Sequence, residues 1–193
     1  MTIDMTDRES LETSEARKKG NLSTSVSLAV ALVLLALLTY GFLSSRRGGR
    51  PQRGELVPGF SLALLDGSEL TLADLRGQIV VLNFWASWCS PCRREAPALQ
   101  RVWETYKDQG VVFVGVTYRD AKGASLAFIK EYGITYPNGV DERGRISGDY
   151  GVTAVPETYV IDREGRLAWF QIGEAQAEAL ADVLARQLEL AAN

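Results

Sequence analysis

Apolar positions along the chain fall into distinct rhythms, and each rhythm predicts an element. From Leu22 to Leu43 no residue is charged, and apolar side chains would occupy every side of a helix. At about 1.5 Å per residue, residues 26–43 extend roughly 27 Å, close to the hydrocarbon thickness of a bilayer. Residues 22–43 therefore predict a transmembrane anchor. Residues 1–21 are polar, mixed in charge and without apolar periodicity, which predicts a disordered tail. Residues 44–54, rich in Ser, Gly, Arg, Pro and Gln, predict a linker, and 55–193 a folded domain.

Within that domain, apolar runs at 60–65 and 70–72 flank Asp66-Gly67, a hairpin signal. Residues 78–85 are almost continuously apolar, the mark of a strand buried on both faces, and 111–117 repeat it. A helix is expected from near Cys89 to Tyr106, kinked at Pro97. Residues 124–132 predict an amphipathic helix with Leu126, Ile129 and Tyr132 on its apolar face. A second hairpin is expected from 158–161 and 167–171. The chain closes on a helix at 174–191, with Leu180, Val183, Leu184 and Leu188 along one side. This succession implies an α/β domain, a mixed central sheet with helices on both faces.

Composition narrows the chemistry. Residues 1–54 carry eight Lys/Arg against five Asp/Glu, and 55–193 carry thirteen against nineteen. An acidic domain is a poor partner for nucleic acid, whose binding rests on phosphate neutralisation. The chain has no histidine, which excludes Ser-His and Cys-His catalysis and any His-ligated metal. Two cysteines cannot complete a structural zinc site, so no metal is expected.

Those cysteines stand in Trp88-Cys89-Ser90-Pro91-Cys92, after a predicted buried strand and at the start of a predicted helix. There the first sulfur faces unpaired backbone N–H groups at the positive end of the helix dipole. This favours thiolate, the nucleophile of disulfide exchange. Cys92, one turn on, is close enough to attack a mixed disulfide at Cys89. Pro91 suits a first turn, where no N–H donor is needed. A purely structural disulfide closing so short a loop would stabilise the fold little, so a redox pair is the stronger reading. The working group would be the disulfide itself, with no separate cofactor.

Two long motifs add a resemblance. Asn83-Phe-Trp-Ala-Ser-Trp-Cys-Ser-Pro-Cys-Arg-Arg-Glu-Ala-Pro97 and Gly151-Val-Thr-Ala-Val-Pro-Glu-Thr-Tyr-Val-Ile-Asp162 resemble stretches of the TlpA/ResA/DsbE group of thioredoxin-like proteins. Pro58-Gly-Phe-Ser and Asp66-Gly are similar to that group's amino-terminal hairpin. The resemblance implies a thioredoxin-like fold behind one transmembrane helix, with Cys89 attacking and Cys92 resolving. It implies that Pro156 is a cis-proline facing the disulfide, binding the substrate strand together with Val155. Glu95 would share in proton transfer; the alternative is a solvated helix carboxylate. Trp88 and Glu157 are expected to contribute to the docking surface. Thioredoxins carry a buried aspartate where this chain has Asn83, which puts more weight on Glu95.

Basic residues flank the apolar span on both sides (Arg17, Lys18 and Lys19 before it, Arg46, Arg47, Arg50 and Arg53 after it), so charge does not orient it. No Ala-x-Ala site follows it, which favours an uncleaved anchor over a signal peptide. The resemblance implies a single-pass protein of the cytoplasmic membrane with its redox domain outside. It would reduce protein disulfides such as those of apocytochrome c in cytochrome c maturation, and be re-reduced by a membrane donor of the DsbD/CcdA type. Rival readings are a peroxiredoxin-like peroxidase, which needs a lone peroxidatic cysteine with Thr and Arg, and a copper-binding assembly protein, which needs a histidine.

Overall fold

The computed structural model describes residues 27–40 and 49–190. Residues 27–40 form helix α1, whose leucines and valines are all exposed. The ends of the expected 22–43 span and the whole 1–21 tail lie outside the described residues. Among the described residues no helix is long and apolar enough to cross a membrane. A separate compact unit comprises Gly48–Asn193.

The strands of that unit are β1 (Ser61–Leu64), β2 (Glu69–Thr71), β3 (Ile79–Trp85), β4 (Val111–Thr117), β5 (Asn138–Val140), β6 (Glu157–Ile161) and β7 (Leu167–Ile172). They form one sheet in the order β2-β1-β5-β4-β3-β6-β7. The central β5-β4-β3 ladder is parallel, and the strands outside it pair antiparallel. All of β3 is buried, as its unbroken apolar run requires of a strand covered on both faces. Ile79, Val81 and Trp85 pack with α2 (Ser90–Tyr106), α3 (Lys122–Tyr132) and α5 (Ala177–Leu190). Val80, Leu82 and Phe84 face the other way, against Phe60, Tyr159 and the short helix α4 (Arg145–Asp149) with Tyr150 behind it. The mixed α/β sheet covered on both faces is thus present, with the amino-terminal hairpin closed by Gly67 at φ +94° and by Asp66 Oδ1 accepting from Ser68 N–H at 2.9 Å.

Several expectations need correction. The buried face of α3 is Ser125 and Phe128, with Ile129 and Tyr132 half-buried, while Leu126 is exposed. Phe128 wins because it stacks on Trp85, ring centroids 4.4 Å apart, which periodicity alone does not reveal. The helix expected to run through Pro97 is present as the single element Ser90–Tyr106; Pro97, where a kink was expected, lies on its exposed side, where water can serve the carbonyl that loses its donor. Strand β5 and helix α4 have no counterpart in the apolar rhythm of the sequence. The expected 44–54 linker ends early: Gly54 N–H donates to Leu167 O at 2.8 Å, Arg166 donates to Gly54 O at 2.9 Å, and Arg50 is ion-paired within the domain. Residues 44–48 of it lie outside the described residues.

Candidate active site: a disulfide at the head of a helix

Cys89 is the N-cap of α2, and its sulfur accepts from the Cys92 N–H at 3.2 Å. The strand-to-helix junction produces this geometry: β3 ends at Trp85, and the next residues turn so that Ser90 and Pro91 open the helix. Cys89 and Cys92 are joined in a disulfide, and Cys89 is only 3% exposed. Over it lies the loop that follows α4. The Val155–Pro156 bond is cis, as the resemblance implied, and Val155 O is 3.6 Å from Cys89 Sγ. A substrate sulfur approaching Cys89 would meet the backbone of this loop.

The turn bearing Trp88 is fixed from the end of β4. Asp120 accepts from Ser87 N–H at 2.7 Å, from Ser87 Oγ at 2.9 Å and from Ser125 Oγ at 3.0 Å. Trp88 remains 59% exposed, its indole N–H donating to Arg119 O at 3.3 Å. A cleft of about 660 Å³ opens beside Arg119, at the carboxyl ends of β4 and β5, walled by Thr117, Asp120 and Asp141 among others. Trp85 points inward instead, donating to Asn138 Oδ1 at 2.8 Å. Trp85 is a packing residue; Trp88 is free to meet a partner.

Glu95 sits one turn beyond Cys92 on the same face of α2, and it is 2% exposed. The solvated-carboxylate alternative is thereby removed. Glu95 Oε1 accepts from Asn83 Nδ2 at 3.0 Å, and Oε2 accepts from Ala175 N–H at 2.7 Å. Asn83 is held in turn by Thr158 Oγ1 at 3.0 Å, its register partner on β6. Burial pushes the Glu95 carboxyl up to about 7; the Ala175 and Asn83 hydrogen bonds restrain the rise and the Glu174 charge adds to it. A carboxyl of that affinity can give or take a proton near neutral pH. Asn83, Thr158 and Ala175 were not assigned these roles from sequence, because their meeting depends on the β3–β6 register and on a turn eighty residues downstream.

Glu157 is placed differently from its expected docking role. It is 1% exposed, with Oε2 2.7 Å from both Arg50 Nη2 and Tyr159 Oη. Its carboxylate serves the interior and offers nothing to a docked chain. Among the described residues, no group of three or more Cys, Asp or Glu side chains is placed to hold a metal ion.

The AhpC/TSA family profile matches residues 53–170, more than half of the chain. The chain belongs to the AhpC/TSA family. The thiol-disulfide oxidoreductase ResA of Bacillus thuringiensis (strain Al Hakam) is 34% identical over 143 residues, covering 74% of this chain and 82% of the relative. The thioredoxin-like protein YneN of Bacillus subtilis (strain 168) is 39% identical over 124 residues, 63% of this chain and 72% of YneN. A thiol:disulfide interchange protein of the thioredoxin family from Chlorobium tepidum TLS has the same fold, with a TM-score of 0.64 and 29% identity over 71% of this chain and 98% of that structure. With its Cys89–Cys92 disulfide, this family member is a thiol-disulfide oxidoreductase of the ResA/DsbE type.

Proposed function

We propose that this oxidoreductase works as a membrane-anchored, extracytoplasmic reductase of protein disulfides, with apocytochrome c haem-site cysteines as its substrate class. The observation that carries the reading is the Cys89 sulfur, capped by the Cys92 N–H under Val155 and Pro156, with buried Glu95 behind it. In the reduced protein the Cys89 thiolate attacks one sulfur of a substrate disulfide. The S–S bond breaks, and the second substrate sulfur leaves as a thiolate and is protonated. Cys92 then loses its proton and attacks Cys89 Sγ in the mixed disulfide, releasing the first substrate thiolate and closing the Cys89–Cys92 bond. Glu95 is the group placed to take the Cys92 proton, since Asn83 has none to exchange. Trp88 and the Val155–Pro156 backbone form the docking edge.

Two electrons enter the substrate in each cycle, so a dithiol donor must restore the pair; a membrane partner of the DsbD/CcdA type fits that need. The uncharged 22–43 stretch, helical at least over 27–40, supports anchoring. An oxidising compartment is where a dedicated reductase is required. Redox titration of the full chain tests the direction. A reductase should have a potential below about −200 mV, towards the thioredoxin end of the range, and a value near the roughly −120 mV of a strong oxidant would overturn the reading.

A further inference from the structure

The loop over the disulfide begins at Gly151 and ends at Glu157, and a residue from before the first strand is bound to both of its stems. Arg50 Nη2 donates to Gly151 O at 3.4 Å on one side and to Glu157 Oε2 at 2.7 Å on the other. Its Nε donates to Tyr159 Oη at 3.1 Å, and Tyr159 Oη lies 3.1 Å from Tyr150 O. The guanidinium also stands 5.5 Å from the centroid of the Phe170 ring. The backbone takes part as well. Gly151 adopts φ +64°, and a Cβ there would come within 2.6 Å of Arg50 N. Arg50 is thus fitted against the loop by its main chain and fastened across it by its side chain.

Between the two stems lie Val152, Thr153, Ala154, Val155 and Pro156. Other hydrogen bonds on these five residues include Val152 N–H donating to Ser147 O at 2.8 Å, Tyr118 Oη at 3.4 Å from Thr153 O, and Gly173 N–H donating to Pro156 O at 2.9 Å. Glu157 is 1% exposed, and its Oε1 has no hydrogen-bond partner. Arg50 therefore supplies the one countercharge among the described residues to a carboxylate that would otherwise be buried and unpaired. A surface ion pair adds little, but a guanidinium that spans two stems of a loop fixes their separation.

We infer that Arg50 is a positioning residue for disulfide exchange: by joining both stems of the 151–157 loop it fixes the Val155–Pro156 edge against which a substrate chain lies beside Cys89. This rests on the docking edge assigned above. It also means that the segment arriving from the amino-terminal side is part of the redox site's framework and not a passive tether.

The test compares the reduced full chain with Arg50→Gln, Glu157→Gln and the double variant on insulin and on a small aromatic disulfide, dithiobis(nitrobenzoate). Insulin must lie along the loop; the small disulfide needs only the Cys89 sulfur. Arg50→Gln should raise the KM for insulin about tenfold, the scale of one coupled contact, while kcat and the small-disulfide rate stay within about twofold. Faster amide exchange at residues 152–155 should accompany the rise. Glu157→Gln should show the same split, and the double variant should be no worse than Arg50→Gln. Because Arg50→Gln strands a buried carboxylate, the double variant, which removes both charges, is the control for folding, and it should show the same rise in KM. Equal losses on both substrates, no loss on either, or additive losses in the double variant would overturn the role of Arg50. Inactivity of the unaltered chain on both disulfides would instead overturn the exchange reading beneath it.

Discussion

Glu95 has two hydrogen-bond donors, Asn83 Nδ2 and Ala175 N–H, and almost no water, and its proton affinity follows from that balance. Desolvation outweighs the donors, so the folded-state pKa rises from 4.5 to about 7. The folded protein then holds a proton that the unfolded chain releases at lower pH. The associated stability is fully present below about pH 4.5 and is lost as pH rises through about 7. At about 1.36 kcal/mol per pH unit the loss is about 3 kcal/mol. Denaturant unfolding of the oxidised protein between pH 4.5 and 8 should show that decline. Glu95→Gln, which cannot ionise, should flatten it; an unchanged slope in the variant would place the titrating group elsewhere. Sequence showed a carboxylate in the second turn of a helix, which more often points to solvent. Nothing local to Glu95 says that β6 and the β7–α5 turn close over it.

At the scale of elements, the cysteines were legible because the chemistry is local: strand, turn, two cysteines three positions apart in one helical start. The helix face of α3 was not, since Leu126 and Phe128 both fit an amphipathic stripe and only the Trp85 stack chooses between them. Strand β5 was invisible for a different reason. It is three residues, Asn138–Val140, behind a proline, with no β-favouring run; it exists because β4 and β1 both pair with it. Asn138 also receives the Trp85 indole N–H, so this short strand buttresses the end of β3 that leads to Cys89. Gly115 on β4 makes room for that contact. A Cβ there would lie 2.6 Å from Asn138 Cγ and 2.8 Å from Trp85 Nε1. Gly115→Ala should cost about 3 kcal/mol or more in denaturant unfolding, beyond what an ordinary strand glycine replacement does. A change below about 1 kcal/mol would show that β5 yields easily and that the buttress is soft.

Across the whole molecule, the division into an apolar amino-terminal segment and an acidic redox domain was readable from composition, and the two long motifs led to the family that the comparisons show. The boundary was not readable. Arg50, Pro51 and Gly54 have linker composition, yet Pro51 is buried and the other two bond to the domain, because their partners Glu157, Gly151 and Leu167 lie more than a hundred residues away. The redox site therefore draws on β3, α2, β4, β6, the β7–α5 turn and the incoming segment, and its asymmetry is its central property: Cys89 capped under Val155 and Pro156, Cys92 buried behind it beside Glu95. Trapping the mixed disulfide tests that asymmetry most directly. Reduced Cys92→Ala and Cys89→Ala proteins are each mixed with a disulfide-bonded peptide and weighed intact. Cys92→Ala should accumulate one peptide joined through Cys89, and Cys89→Ala should remain unmodified. Accumulation on Cys92 in the Cys89→Ala protein, at an equal or greater rate, would contradict the account.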